Sequence, residues 1–542
     1  MATFHQAISQ GLRDQAVHTM FGVIGDGNLF IVDSFRRLDG TRYLPMATEA
    51  GAVEAAFGFA HVTGELGVAT VTHGPGLTNT VTALVEGVRA RIPLLLIAGD
   101  TGAEDRDSLQ NIPQREVASA SGAGFEQLRS PRTIGDDIAT AIRRAHVEAR
   151  PIVLNVPADF QWQEAEYVPV PRRHVAVQAA YPDADALDAA VGIIASARRP
   201  VVLAGRGAIG AAARAALVNL AGRIQAPLAT TLKAKDLFRG EPHDIGIFGT
   251  LSHEVALETI NRSDCVVAFG ASMNRWTAAG GSLLAGKRLV QVDVERGGIG
   301  RYFAPDAAVA ADAATTATAI AEWLDKAEVA SSGFASADLA RQLTEAPPLP
   351  KDRSTGETLD IHTALTRLDE AIPARRILVY DAGRFMGVAF RLLHVPGPGS
   401  FIHTVNQASI GLSVGTAVGA AIGAPGPPAV VITGDGGFML GGLAEFATAA
   451  RLGVDLIVVV LNDGAYGAEH IQFTSRAMDP SLSILAWPDF AAVADALGGR
   501  GYTLRSPREL DLAGPAIAHR DRPVLFDIRL DPRLVPSEGH LS

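Results

Sequence analysis

Short apolar runs alternate with alanine-rich stretches along the whole chain. The runs are rich in Val, Ile and Leu, and each is followed by a glycine-rich turn or by a segment whose apolar residues have helical spacing. Short β-branched strands that alternate with helices are typical of parallel sheets with crossover helices. The pattern therefore predicts an α/β protein made of doubly wound parallel sheets.

The predicted strands fall into three groups, separated by two polar, proline-containing stretches at 163–186 and 345–357. The first group has five strands, at 18–25, 41–47, 67–73, 92–99 and 151–157. The second has four, at 200–205, 226–231, 265–270 and 288–294. The third has five, at 376–383, 400–405, 429–436, 456–463 and 523–530. We predict three domains, 1–165, 187–330 and 356–542, of which the first and third share one architecture.

Composition narrows the class of protein. The chain has 542 residues, of which 48% are hydrophobic, so it exceeds the roughly 250 to 300 residues that a single core supports. Its net charge is −11 and it has no run of Lys or Arg, which argues against a nucleic-acid partner. The single cysteine, Cys265, allows no intrachain disulfide and no cysteine metal site. The start lacks a signal-peptide core, and no apolar run reaches the ~18 residues of a membrane span, so we predict a cytoplasmic protein without a membrane partner.

Candidate chemistry begins at a glycine-rich turn. A buried strand is predicted to end at Gly434, followed by Asp435, Gly436 and Gly437 before a helix. Glycines let the backbone approach a phosphate, and the helix start offers free N–H groups, although such a turn is ordinary when it stands alone. Asn462 ends the next strand, 27 residues after Asp435, a spacing that makes the two strand ends neighbours. Carboxylate, amide and backbone oxygens at such an edge are ligands that Mg²⁺ prefers.

At this spacing the sequence resembles, over nearly its whole length, the thiamine diphosphate enzymes of the acetolactate synthase and 2-oxo acid decarboxylase superfamily. The resemblance implies that Asp435, Asn462 and the backbone oxygen of Gly464 bind Mg²⁺. It also implies that Gly434, Gly436, Gly437, Asn462 and Gly464 contact the cofactor. Many relatives have a second asparagine where this chain has Asp463.

The resemblance further implies a glutamate in the first domain, and Glu49 matches it, just before a helix of small residues. A carboxyl group at N1′ of the cofactor's aminopyrimidine would help the adjacent amino group to remove the thiazolium C2 proton. Without the resemblance, Glu49 would be a carboxylate that complements a helix dipole. Glu54, in the same helix, is the alternative.

Two further segments of the first domain match cofactor or substrate positions of the family. Gly74, Gly76 and Asn79 match a Gly-Pro-Gly turn beside the cofactor, and His73 stands where many relatives have serine. His73 is either a structural histidine or a proton carrier near the thiazolium. Gln110 matches an active-site glutamine, with Gln114 as the alternative.

In the third domain, Ile410 matches the apolar residue that supports the bent cofactor, and the backbone oxygen of Ala408 would accept a hydrogen bond from its amino group. The nearby polar residues His403, Asn406 and Gln407 could face the substrate. Glu469 matches a substrate-contacting position, with His470 as the neighbouring alternative.

The middle domain contains Gly205, Gly207 and Gly210 in a GxGxxG pattern that follows a strand and opens a helix, as in nicotinamide dehydrogenases. The acidic residue expected about 20 positions later is absent, because Thr231 and Lys233 stand there. In the family that this chain resembles, the middle domain binds FAD, an adenine nucleotide or nothing. FAD is therefore an open prediction.

Taken together, the resemblance implies an enzyme that uses thiamine diphosphate and Mg²⁺ to break or form a C–C bond next to a carbonyl. The expected substrate is a 2-oxo acid or an aldehyde. The expected reaction is decarboxylation, carboligation or both. The alternatives are an acyl-CoA lyase, a lyase or hydrolase that breaks a C–C bond without decarboxylation, and a flavin or nicotinamide oxidoreductase. The resemblance also implies a homodimer or homotetramer with the site at the chain interface.

Overall fold

A computed structural model describes residues 2–102, 105, 107–172, 179–345 and 350–535 of the chain. The described residues form two compact units. Unit 1 combines 2–172 with 353–386 and 402–535, and unit 2 combines 179–345 with 350–352 and 387–401. The predicted linkers are described only in part, and residues 536–542 of the predicted third domain lie outside the described residues.

The amino-terminal part of unit 1 contains a six-stranded parallel sheet. Its strands are β2 (Thr19–Gly22), β3 (Arg42–Pro45), β4 (Gly67–Val71), β5 (Leu94–Asp100), β6 (Gly124–Gln127) and β7 (Pro151–Pro157). Its helices are α1 (Phe4–Asp14), α2 (Leu29–Arg36), α3 (Glu49–Thr63), α4 (Pro75–Thr78), α5 (Val81–Ala90), α6 (Gln114–Ser121) and α7 (Ile134–Glu148). A small antiparallel pair joins β1 (Ala2–Thr3) to β8 (Glu164–Ala165).

Unit 2 contains the central sheet. Its strands are β9 (Pro200–Ala204), β10 (Leu228–Thr230), β11 (Asp244–Ile247), β12 (Cys265–Phe269), β13 (Arg288–Val292) and β14 (Ala307–Val309). Its helices are α8 (Ala184–Ser196), α9 (Ala211–Ile224), α10 (Glu254–Arg262), α11 (Ala313–Lys326) and α12 (Ala337–Thr344).

The carboxyl-terminal part of the chain supplies the third sheet, in unit 1. Its strands are β15 (Ile377–Tyr380), β16 (Phe401–His403), β17 (Ala429–Gly434), β18 (Leu456–Asn462), β19 (Arg500–Leu504) and β20 (Val524–Arg529). The helices of this part in unit 1 are α13 (Ile361–Ala371), α15 (Ser413–Gly423), α16 (Asp435–Gly437), α17 (Leu443–Leu452), α18 (Gly467–Ser475), α19 (Phe490–Ala496) and α20 (Ala513–Ala518). From Gly387 on, α14 (Met386–Leu392) belongs to unit 2. A short π-helix, Phe438–Gly442, connects α16 to α17.

Strand order confirms the predicted fold class of three doubly wound parallel sheets. The order is β3-β2-β4-β5-β7-β6 in the first sheet and β16-β15-β17-β18-β20-β19 in the third, so the two sheets share one topology. The central sheet has a different order, β11-β10-β9-β12-β13-β14, which is that of a dinucleotide-binding fold. Ligands of such sheets bind outside the carboxyl ends of the strands, where the order reverses.

The first and third domains share one apolar core in unit 1. Its centre is a seam between α3 and α15, two helices in which small residues allow close backbone approach. A Cβ at Gly58 would lie 1.9 Å from the backbone oxygen of Thr416, and one at Gly419 would lie 1.8 Å from the oxygen of Ala55. The seam therefore fixes the start of α3 relative to the third sheet.

Throughout the described ranges, every helix is too short or too polar to cross a lipid bilayer.

Candidate functional site

Two groups of predicted site residues lie at the carboxyl edges of the first and third sheets. In the third sheet, β17 and β18 are parallel neighbours, with Gly434 opposite Leu461. Asp435 directly follows the end of β17, and Asn462 is the last residue of β18. The two residues therefore lie at neighbouring strand ends, as their spacing predicts. The first sheet contributes the turn after β4 and the start of α3, which follows β3.

Asp435 is a buried carboxylate at the start of α16, with 2% of its surface exposed. Its Oδ1 accepts a hydrogen bond from the Gly436 N–H (2.8 Å), whereas its Oδ2 is buried and has no hydrogen-bond partner among the described residues. Burial first, and then the negative charge of Asp463, raise the pKa of Asp435 to about 7, although the N–H groups of Gly436 and Gly464 act in the opposite direction. A buried carboxylate with an unpartnered oxygen is suited to a cation.

Glycines of the same turn bring other groups close to Asp435. A Cβ at Gly436 would lie 2.6 Å from the ring of Tyr466 and 3.8 Å from the side chain of Ile410. A Cβ at Gly437 would lie 2.8 Å from a carboxylate oxygen of Asp381. The turn therefore has no room for larger residues, and its backbone lies directly beside Ile410.

Asn462 and Gly464 are already engaged within the protein. The side-chain amide of Asn462 donates to Asp527 (2.8 Å), and its Oδ1 accepts from the Gly464 N–H (3.2 Å). Gly464 has a left-handed φ of 64°, and its carbonyl oxygen accepts from the Leu485 N–H (2.8 Å). The Gly464 carbonyl oxygen and the Asn462 Oδ1 each accept one of these hydrogen bonds, so each oxygen keeps a second lone pair for a cation.

Asp381, which the sequence analysis missed, organises the loop that carries Ile410. It is fully buried after β15, and its carboxylate accepts from the Gly411 N–H (3.0 Å) and from the hydroxyls of Ser413 and Thr433 (both 3.0 Å). Burial raises the pKa of Asp381, and these hydrogen bonds lower it. A polar residue at the end of a buried strand was the signal for such a role.

The loop before Ile410 docks on the first domain. Backbone N–H groups of Asn406 and Gln407 donate to the carboxylate of Glu86 on α5 (3.1 and 3.2 Å). The Asn406 side chain also donates to Glu86 (2.5 Å), and that of Gln407 donates to the Thr82 oxygen (2.5 Å). Asn406 and Gln407 thus hold the loop in place. Ala408 follows in a left-handed conformation, with a φ of 62°.

Glu49 is the first residue of α3, and the groups around it fix its position. Thr48 caps the helix by accepting from the Gly51 N–H (2.9 Å), and both its N–H and its hydroxyl donate to Glu445 (3.0 and 2.8 Å). Asn79 donates to Glu49 Oε2 (3.1 Å). Two predicted site residues, Glu49 and Asn79, are therefore in direct contact. They line a cavity of about 400 Å³.

Glu54 lines the same cavity but is 6% exposed, and its Oε2 makes no hydrogen bond within the described chain. Burial raises its pKa well above the ordinary value, followed by the charges of Glu445 and Asp381. Gly415 makes room for it, because a Cβ there would lie 2.4 Å from Glu54 Oε2. Burial and two neighbouring carboxylates therefore favour the protonated form of Glu54.

His73 and Gly74 lie in the turn between β4 and α4, and Gly76 lies in the first turn of α4. His73 is buried, which lowers its pKa, whereas the nearby carboxylates of Asp100 and Asp26 raise it. Gly74 has a φ of 61°, and its N–H donates to Gln114 Oε1 (2.8 Å).

Both candidate glutamines contact this turn. A Cβ at Gly74 would lie 2.5 Å from the Gln110 backbone oxygen. The Gln114 side chain is buried, and its amide donates to the Gly99 oxygen (2.7 Å) and to Asn155 (2.5 Å). Gln114 therefore supports the turn from behind, whereas Gln110 is partly exposed.

The other predicted substrate-facing residues lie on α18. Glu469 is exposed in the first turn of this helix. His470 is half-buried, and its Nδ1 lies 3.0 Å from the Ser483 hydroxyl. Glu469 is thus the more accessible of the two.

In unit 2, the GxGxxG glycines serve the packing of two turns. A Cβ at Gly205 would lie 2.3 Å from the Gly270 oxygen, and one at Gly207 would lie 2.8 Å from the Gly270 Cα. The Gly207 N–H donates to that same oxygen (3.0 Å). Gly205 and Gly207 therefore have a packing role, whereas a Cβ at Gly210 would meet no atom of the described residues within 4 Å.

Comparisons with known proteins agree with this architecture. Residues 2–122 match the thiamine pyrophosphate enzyme N-terminal TPP binding domain, 187–320 match the central domain and 381–528 match the C-terminal TPP binding domain. The chain is 30% identical over 529 residues to the probable 2-ketoarginine decarboxylase AruI of Pseudomonas aeruginosa, covering 94% of this chain and 90% of that protein. It is 27% identical to an acetolactate synthase of Mycobacterium bovis (96% and 87% covered) and 26% identical to a sulfoacetaldehyde acetyltransferase of Alcaligenes xylosoxydans (92% and 87%).

Proposed function

Since the chain belongs to the thiamine diphosphate-dependent enzymes, we propose that it breaks or forms a C–C bond next to the carbonyl of a 2-oxo acid, with Mg²⁺ as the second cofactor. The names of its relatives include a decarboxylase, a synthase and an acetyltransferase, and all three reactions are compatible with this chemistry. When bound, the thiazolium ring of thiamine diphosphate supplies a carbon that attacks a carbonyl and stores an electron pair.

The observation that carries the proposal is the unpartnered oxygen of Asp435. This oxygen is buried at a glycine turn that follows β17, next to the strand β18 that ends at Asn462. A divalent cation at this place would offset the buried charge and hold a diphosphate against the turn. Gly434, Gly436 and Gly437 would then leave the backbone accessible to the phosphates.

Glu49 would exchange a proton with the pyrimidine ring. The helix cap at Thr48 fixes the direction in which the carboxylate points, and Asn79 donates to one of its oxygens. Ile410 and the backbone of Ala408 would support the cofactor from the third domain. His73, Gln110 and Glu469 would face the substrate.

We propose a homodimer or homotetramer, as the resemblance to the family implies. Glu49 belongs to the first domain and Asp435 to the third, and we propose that each active site pairs the first domain of one chain with the third domain of its partner.

The test of the cofactor site is Asp435→Ala. The substitution removes the carboxylate, so we expect the purified variant to lose bound thiamine diphosphate and all turnover, measured by cofactor content after gel filtration. Asp360→Ala is the control, because Asp360 is also a buried carboxylate but caps α13 by accepting from the His362 N–H (2.9 Å). It should cost about 1 kcal/mol of stability and retain the cofactor. Stoichiometric cofactor in Asp435→Ala would refute the assignment.

The reaction itself is tested with a panel of 2-oxo acids and aldehydes, followed by identification of the products. Release of CO₂ with an aldehyde product indicates decarboxylation, and a longer hydroxyketone indicates carboligation. Cleavage of an acyl-CoA, or cleavage of a C–C bond without CO₂ release, would replace the proposed reaction. A bound flavin with visible absorbance would add a redox cofactor.

A further inference from the structure

Glu445 is a buried carboxylate of the third domain that reaches into the first domain. It lies in the first turn of α17 and is fully buried. Its side chain meets the first turn of α3, where a Cβ at Gly51 would lie 2.1 Å from Glu445 Oε1. Only glycine at position 51 leaves room for the carboxylate at this place.

Both side-chain hydrogen bonds that Glu445 makes within the described residues go to Thr48. Its Oε1 accepts from the Thr48 N–H (3.0 Å) and from the Thr48 hydroxyl (2.8 Å). The oxygen of that hydroxyl accepts in turn from the Gly51 N–H (2.9 Å), which makes Thr48 the cap of α3. A hydroxyl has a single proton, and this proton is directed to Glu445, so a lone pair is left facing the helix. Glu445 therefore sets the orientation of the cap.

Stability alone does not explain a carboxylate at this position. The second oxygen of Glu445, Oε2, is buried and has no hydrogen-bond partner among the described residues. Glu54, three residues after Gly51 and on the same face of α3, adds a second buried acid whose Oε2 also lacks such a partner. A buried polar group without a partner costs free energy, and an apolar side chain of similar size is often equally stable or more so. The contact that Glu445 makes in return is the one with the cap.

The cap lies next to the residue on which the proposed function depends. Glu49 directly follows Thr48, and Asn79 donates to Glu49 Oε2 (3.1 Å). Thr48, Glu49 and Asn79 line one cavity of about 400 Å³. A displacement of about 1 Å at a reacting group can slow a reaction by about 10²-fold. The hydrogen bonds between Thr48 and Glu445 thus fix the start of α3, and with it Glu49, relative to the third domain.

We propose that Glu445 is a positioning residue for Glu49. By accepting two hydrogen bonds from Thr48, it holds the first turn of α3 where the Glu49 carboxylate can meet the pyrimidine ring of the cofactor. In this role Glu445 neither binds the diphosphate nor exchanges a proton. The inference rests on the proposed function, which gives Glu49 its part in the reaction.

The first test uses the apoprotein and compares E445M with E445Q. Methionine removes both oxygens but keeps the length of the side chain, whereas glutamine keeps one oxygen that can accept from Thr48. Amide hydrogen exchange of the peptide that contains Gly51, measured by mass spectrometry, should be at least about tenfold faster in E445M and within about threefold of the parent in E445Q. The melting temperature of E445M should stay within about 3 °C of the parent, because the unpartnered oxygen is removed as well. Amide exchange in E445M at the parent rate would show that Glu445 does not hold the cap.

The second test measures hydrogen–deuterium exchange at C2 of thiamine diphosphate bound to the holoenzyme with Mg²⁺. We expect E445M to slow this exchange at least about tenfold, while its Kd for thiamine diphosphate stays within about threefold of the parent value, because the diphosphate turn is unchanged. E445Q should keep the parent rate, because its remaining oxygen still accepts from Thr48.

Variants of Thr48 test the same hydrogen bond from its other end. T48V removes the hydroxyl and should slow C2 exchange as E445M does, whereas T48S keeps the hydroxyl and the parent rate. The double variant E445M/T48V should be no slower than the slower single variant, because both substitutions break one contact. If E445M does not fold, T48V decides, and C2 exchange at the parent rate in T48V would overturn the proposal.

Thr448→Val is a matched control on the same helix. Thr448 is buried like Glu445, but its hydroxyl donates to the Ala444 oxygen within α17 (3.3 Å). The substitution therefore removes a hydrogen bond that does not reach α3. Amide exchange at Gly51 and C2 exchange of the bound cofactor should both match the parent.

The outcomes separate this inference from the proposed function. If the parent protein binds no thiamine diphosphate, or does not accelerate C2 exchange, the proposed function fails. If the parent does both and E445M and T48V keep its C2 exchange rate, only the present inference fails. Slow C2 exchange in E445M together with the parent rate in Glu49→Gln would show that Glu445 does not act through Glu49, which would also overturn the inference.

Discussion

At the scale of single residues, Glu49 carries the clearest expectation. Glu49→Gln keeps the shape of the side chain, and its remaining oxygen can still accept from Asn79. The amide cannot exchange a proton, so we expect hydrogen–deuterium exchange at C2 of bound thiamine diphosphate to slow by about 10² to 10⁴-fold. Quenched NMR of the bound cofactor measures this rate.

Glu54→Gln is the control for that experiment. Burial raises the pKa of Glu54 well above its ordinary value and favours its protonated form, whose shape and charge glutamine resembles. Exchange in Glu54→Gln should match the parent. Fast exchange in Glu49→Gln together with slow exchange in Glu54→Gln would assign the proton transfer to Glu54.

The sequence identified most candidate residues by type and position, but it could not identify what each side chain contacts. Asp435 and Asn462 lie at adjacent strand ends because a crossover connection fixes that neighbourhood. The direction of the Asn462 amide depends on Asp527, a residue 65 positions later, and no local pattern encodes it. For the same reason Asp381 was missed, since its partners Gly411, Ser413 and Thr433 come from distant parts of the chain.

At the scale of elements, the strands of the three parallel sheets that the sequence analysis missed share one property. They are β6, β11, β14 and β19, and each lies at the edge of its sheet. An edge strand pairs on one side only and is less buried, so it needs no continuous apolar run; β19, for example, reads Arg-Gly-Tyr-Thr-Leu. Interior strands are covered on both faces, and their continuous apolar runs made them recognisable.

One of these edge strands carries a testable pH dependence. Burial raises the pKa of Asp244, the first residue of β11, from 3.8 to about 6. The folded state therefore holds a proton that the unfolded state has lost, and the free energy of unfolding falls as the pH rises from about 4 to 6. Asp244→Asn removes this fall in the free energy of unfolding, and the amide oxygen of the new side chain can still accept a hydrogen bond from the Gly246 N–H. We expect it to be more stable than the parent at pH 8 by about 1 to 3 kcal/mol.

Urea unfolding at two pH values checks the Asp244 prediction. The stability difference between Asp244→Asn and the parent should shrink as the pH falls from about 6 towards 4, because the carboxyl is then protonated in the folded state and increasingly protonated in the unfolded state. A stability difference that stays constant between pH 4 and 8 would mean that ionisation of Asp244 does not contribute to the pH dependence of the free energy of unfolding.

The seam between α3 and α15 predicts an asymmetry among helical glycines. Gly58→Ala would place a Cβ 1.9 Å from a backbone oxygen of α15, so we expect a loss of about 3 kcal/mol or more in the free energy of unfolding. A Cβ at Gly192, in α8, would instead point into open space, with no atom of the described residues within 4 Å. Gly192→Ala should therefore stabilise the protein by about 0.5 to 1 kcal/mol. Equal stability of the two variants would show that the seam can open without cost.

At the scale of the whole molecule, the proposed dimer makes activity depend on concentration. If each active site needs the first domain of one chain and the third domain of another, dilution below the dimer dissociation constant should abolish turnover. Mass photometry at nanomolar concentration, combined with activity measurements on the same samples, tests this. Full activity in a population of monomers would contradict the shared site.

The seam also limits how such proteins can be recombined. Its two surfaces lie about 350 positions apart in the chain, yet Gly58 and Gly419 leave space that only the matching helix fills. A chimera of two relatives whose crossover point lies between α3 and α15 combines halves that were never selected together. Exchanging both helices as a set avoids the mismatch, so α3 and α15 are inherited as a single unit even though the central unit separates them in sequence.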